Sequence, residues 1–91
     1  MDMSSVEFQH LMATFTMDLG KTRADLHEAL NEDLPEEEER AVLEAGQRKV
    51  AQFEALLGRL DETRRQMAIA DCREEMDKIT ERVRLLKEKR S

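Results

Sequence analysis

Apolar residues recur at alternating steps of four and three along the first third of the chain: Phe8, Met12, Phe15, Leu19, Thr22, Leu26 and Ala29. That rhythm lays one side of a helix against a neighbour, as a heptad seam does. Leu11 and Leu30 flank the seam and widen it, which suits a helix packed on more than one partner. Ser4 followed by Glu7 fits a capping box, with Ser5 as an alternative cap. A helix is therefore predicted over about residues 4–31. Gly20 interrupts it at a cost of about 1 kcal/mol relative to alanine, and allows a bend or a close helix approach.

The pattern stops at Asn31-Glu32-Asp33-Leu34-Pro35, which holds the only proline of the chain. Asp33 and Glu36 form a second capping box, with Pro35 in the first turn, where its missing N–H costs nothing. The turn is predicted over residues 31–35 and a second helix over about residues 35–69. Leu43, Gly46, Val50, Phe53, Leu57 and Leu60 keep a three-four rhythm, and so do Ile69, Cys72, Met76, Ile79, Val83 and Leu86. The two registers do not match. Leu60, Arg64, Ala68, Cys72 and Met76 join them by steps of four, like a stutter that locally unwinds a coiled coil. The other solution is a break, with Asp71 and Glu74 as a third capping box and Gly58 as a lesser breaking point.

These elements predict an all-α single domain over residues 1–91. It is an antiparallel helical hairpin with coiled-coil-like packing, whose C-terminal segment, about residues 70–89, either continues as a long helix or folds back as a third. Two features favour continuation. Residues 64–71 lack the Gly, Asn, Pro and Ser of a tight loop. Glu44/Arg48, Asp61/Arg65 and Glu74/Lys78 place acids four residues ahead of bases, as on a solvated helix face.

Continuation has a physical consequence. A helix from residue 34 to residue 89 is roughly 80 Å long, and the first helix, at about 40 Å, covers only half of it. The ridge of Ile69, Cys72, Met76, Ile79, Val83 and Leu86, rimmed by Arg73, Arg82 and Lys87, then lies bare in a single molecule. Each large apolar side chain left in water forgoes about 1.5–3 kcal/mol. Those nine residues are the expected contact surface for another protein's helix or a second copy of this chain. Replacing Ile79 and Val83 by aspartate is expected to abolish that association and leave the first two helices intact.

Composition agrees with helix. Charged residues make up 40% of the chain and aromatics 3%, all of them phenylalanine. The net charge of −6 is uneven: residues 32–40 hold six acids against one base, and residues 78–91 hold six bases against two acids. Acids at a helix start and bases at its end both suit the helix dipole. An acidic chain is also a poor ligand for nucleic acid, which leaves a homodimeric regulator touching nucleic acid with its basic end as the secondary reading.

Catalytic signals are thin. His10 and His27 are seventeen residues apart, and neither belongs to a metal or phosphotransfer motif. Cys72 is the only cysteine, falls on the apolar ridge and reads as a packed thiol. No glycine-rich phosphate loop and no Glu-x-x-His di-iron pattern occurs. The six methionines read as core first, and as an adaptable binding surface second. No cofactor or metal is expected. Residues 1–5 are acidic and polar where a signal peptide needs bases and an apolar run. No stretch approaches the roughly 18 apolar residues of a membrane span. The expectation is a cytoplasmic, non-catalytic adaptor, small chaperone or assembly subunit, with no membrane contact.

Overall fold

A computed structural model describes residues 3–91. Met1 and Asp2, part of the stretch read as unlike a signal peptide, lie outside the described residues. The described residues form three helices that pack on one another: α1 (Ser5–Asn31), α2 (Glu36–Arg59) and α3 (Glu62–Arg90). All-helical architecture is thus as the sequence indicates. The second break falls at Leu60–Asp61, not near Asp71, and the Asp71/Glu74 pair sits inside α3.

Local chemistry explains each boundary. Ser4 and Glu7 close a capping box, with Ser4 N–H donating to Glu7 Oε1 and Glu7 N–H to Ser4 Oγ, both at 3.1 Å. The bond from the Ser4 N–H, followed by the Ser4 hydroxyl, lowers the pKa of the Glu7 carboxyl. The second predicted box does not form. Pro35 itself caps α2 without a side-chain bond, and four glutamates, Glu36 to Glu39, occupy the positive first turn. At the second break, two residues past Gly58, the lesser of the two candidate breaking points, Leu60 is extended and Asp61 caps α3 by accepting the Arg64 N–H at 2.9 Å. Arg65 reaches back and donates to the carbonyls of Leu57 (3.2 Å) and Leu60 (3.1 Å). It thereby satisfies acceptors that the end of α2 leaves without helical partners. A two-residue turn with neither glycine nor proline is stable for that reason.

The helices run up, down and up. Phe15 stacks on Phe53 at 5.9 Å between ring centroids, and Asp18 pairs with Lys49 at 3.4 Å, so α2 descends as α1 ascends. Arg64 donates to the Met3 carbonyl near the start of α1, Arg23 pairs with Glu75 at 2.6 Å, and Lys89 meets the end of α1, so α1 and α3 ascend together. α1 packs most extensively on α3. The molecule measures 43 × 20 × 18 Å, the length of one helix.

The seven seam positions of α1 are its seven buried residues. The six apolar ones, all but Thr22, share one core with Leu56 and Leu60 of the α2 end and with Ala68, Cys72, Met76, Ile79, Val83 and Leu86 of α3. The α3 ridge is therefore covered by its own chain. Of the two alternatives the chain takes fold-back as a third helix, not the favoured continuation that would leave the ridge bare, because the turn at Leu60–Asp61 sends α3 back along α1.

The glycines test this packing. A Cβ on Gly46 would lie 2.8 Å from Val83 Cγ2 and 3.1 Å from Leu26 Cδ1, whereas one on Gly20 meets nothing within 4 Å. Val83 is β-branched and turns aside only at a cost. Gly46→Ala should lower the unfolding free energy by about 1 kcal/mol, as overpacking of roughly 1–3 kcal/mol outweighs a helix-propensity gain of about 1. Gly20→Ala should raise it by about 1 kcal/mol from propensity alone. Urea unfolding of both variants measures the two signs.

Candidate protein-binding surface

The residues expected to face a partner divide sharply. Cys72, Ile79 and Leu86 are fully buried, Met76 and Val83 nearly so, and Ile69 is half-buried. Of the expected rim, Arg73 and Lys87 are exposed, and Arg82 is half-buried with Nη1 donating to the Lys78 carbonyl at 3.2 Å. The ridge thus cannot meet another chain without α3 leaving the bundle.

The basic end is engaged inside the molecule. Lys89 Nζ donates to the carbonyls of Ala29 (2.6 Å) and Glu32 (3.2 Å), placing a cation at the end of α1, whose own last turn has none. Arg90 pairs with Glu36 at 2.7 Å and with Glu39 at 3.2 Å, across from the positive start of α2. Glu39 is buried and is also 3.4 Å from Lys89. Those bonds raise the Arg90 pKa above its ordinary value, Glu36 contributing most. Lys78 pairs with Glu74, and Arg84 with Glu88. Lys89 and Arg90 thus tie helix ends together, and Lys78 and Arg84 pair with acids of their own helix, while Arg82 and Lys87 make no ion pair among the described residues.

His10 and His27 are both exposed and lie on α1. Among the described residues, no group of three His, Cys, Asp or Glu side chains is placed to hold a metal ion. Burial, with a smaller contribution from Asp71, pushes the Cys72 thiol up from 9.0 to about 11. A thiol so held is poorly reactive, because the thiolate is the nucleophile.

Surface left open to a partner lies elsewhere. Val6 and Met17 on α1 and Met67 on α3 stand in solvent. Between α1 and α2 lie two separate hollows, one on either side of the Asp18–Lys49 pair. The larger, about 590 Å³, is walled by Met3, Leu11, Phe15, Ala55 and Leu56, with Gln52, Glu7 and Arg59 at its edge. The smaller, about 320 Å³, surrounds Leu34 and Val42 and carries Asp25, Glu28 and Glu38. Of these residues, the sequence marks Leu11 and Phe15 as packing positions, Glu7 as a capping partner and Glu38 as part of the acidic helix start, none of them as a groove. A groove between two helices has no linear pattern; the one available hint was the alanine content of α2 on the side turned away from its seam.

No protein-family model, curated protein or solved structure matches this chain. No helix among the described residues is long and apolar enough to cross a membrane.

Two outcomes follow from this geometry. Ile79→Asp with Val83→Asp should unfold the whole bundle, because both positions belong to the core shared with α1 and α2; circular dichroism should show loss of helix throughout, and a surviving helical pair would contradict the shared core. Cys72 should resist alkylation at pH 8 until urea unfolds the chain. Its folded pKa lies above its unfolded one, so the unfolded state loses the proton first. Stability is retained below pH 9 and falls as pH rises from 9 towards about 11. Cys72→Ala should flatten that part of the pH profile.

Proposed function

We propose that this chain is a non-catalytic protein–protein interaction module, an adaptor, small chaperone or assembly subunit, that receives an apolar helical face of another protein. In this proposal α1 and α2 act as a helical hairpin with coiled-coil-like packing, braced from behind by α3. The observation that carries it is the groove between α1 and α2, where Leu11 and Ala55 border an open apolar hollow in a chain that is 40% charged. Amphipathic helices recognise partners by seating apolar side chains in such grooves. The lone Cys72 is compatible with a cytoplasmic setting.

Site-specific photo-crosslinking in the native cell tests the reading. A photoreactive residue at Gln52, inside the groove, should yield a discrete adduct with another protein, and Leu11→Asp in the same chain should remove it. The same probe at Thr80, on the α2–α3 side, should yield none. Equal labelling from both positions, or an adduct indifferent to Leu11→Asp, would contradict the proposal.

A further inference from the structure

α1 carries a second seam on the side turned away from the core. Val6, His10, Ala13, Met17, Gly20 and Ala24 repeat the steps of four and three. Each stands two residues before a core position, and so about 200° around the helix from it. None of the six is Asp, Glu, Lys or Arg, in a chain that is 40% charged. Five are exposed and Gly20 is half-buried. Met17, at 76%, and Val6, at 64%, are the most exposed large hydrophobic side chains among the described residues. Gly20 weakens α1, yet the fold does not require it: its φ is not positive, and a Cβ there would meet nothing within 4 Å. A mid-helix glycine with open space above it lets another helix approach the backbone closely.

We infer that this face of α1 pairs with the same face of a second copy, the two α1 helices running antiparallel about a two-fold axis level with residue 15. In that register Val6 lies over Ala24 of the second copy, His10 over Gly20 and Ala13 over Met17. Each layer joins a larger side chain to a smaller one, so the layers fill evenly. The flanking charges agree. Glu7 and Lys21 stand on the same side of the seam, and the antiparallel register brings Glu7 of each copy to Lys21 of the other. Lys21 makes no ion pair among the described residues, and Glu7 is hydrogen-bonded only within its own capping box. In a parallel pair Gly20 meets Gly20, Met17 meets Met17, and Lys21 falls opposite Thr16. The contact is one helix wide and about 28 Å long, at the low end of specific interfaces, below about 1,200 Å² in total. The chain therefore stays single at micromolar concentration and pairs above it. None of the six seam residues lines the α1–α2 hollow, so the inference stands apart from the protein-binding reading.

Sedimentation equilibrium of the intact chain, from about 10 µM to about 2 mM, should show reversible association to twice the mass with a Kd on the order of 100 µM. Gly20→Leu puts a side chain where the fold has room. It should keep the circular dichroism of the unaltered chain and weaken association roughly tenfold or more. Met17→Glu, at an exposed position, should do the same. Ala55→Gln, in the wall of the α1–α2 hollow, should leave the dimer unchanged. A zero-length carbodiimide should join Glu7 to Lys21 by an amide, identified by mass spectrometry of the covalent dimer. The two residues lie about 21 Å apart along one helix, so that amide forms only between antiparallel copies. A mass that stays at 10.6 kDa throughout, a dimer indifferent to Gly20→Leu and Met17→Glu, or a dimer without the Glu7–Lys21 amide overturns the inference.

Discussion

The structure depends on the burial of the α3 ridge. Cys72, Met76, Ile79, Val83 and Leu86 present an apolar edge about 20 Å long that water cannot cover cheaply. A two-residue turn sends α3 back alongside α1, and every other feature serves that placement. Arg65 satisfies the end of α2, Asp61 starts α3, and Gly46 lets α2 approach Val83 and Leu26 closely. At the far end Lys89 and Arg90 bind the end of α1 and the start of α2. Two acids of the acidic stretch, Glu36 and Glu39, thus meet two bases of the basic end, Lys89 and Arg90.

Much of α1 could be read in advance. Its seam, its capping box and its end are set by local spacing, and local spacing is what a sequence displays. The second break was visible too, as the clash of registers between Leu60 and Ala68, but its place was misjudged. A search for Ser, Asp or Asn followed three residues later by Glu passes over Asp61, because Arg64 holds that third position. The cap needs only the Arg64 N–H, which every residue but proline provides. The carbonyls of the turn are met by a side chain from the next helix, an arrangement that leaves no glycine or proline to mark it. The same fold-back that corrects the helix count also hides the ridge from partners.

Two consequences for function follow. With the ridge packed inside the bundle, the functional reading rests on the apolar hollow between α1 and α2. It was illegible in the sequence because Leu11 and Ala55 come together only when two helices lie side by side. Cys72 is buried and holds its proton, and His10 and His27 are exposed on α1.

Small-angle X-ray scattering at micromolar concentration tests the self-covered ridge most directly, because it reads mass and shape together. The account predicts particles of 10.6 kDa with a longest dimension near the 43 Å length of the backbone, plus a side-chain margin. A particle close to 80 Å long, or one of twice the mass, would mean that α3 extends or pairs with another chain, and would contradict it.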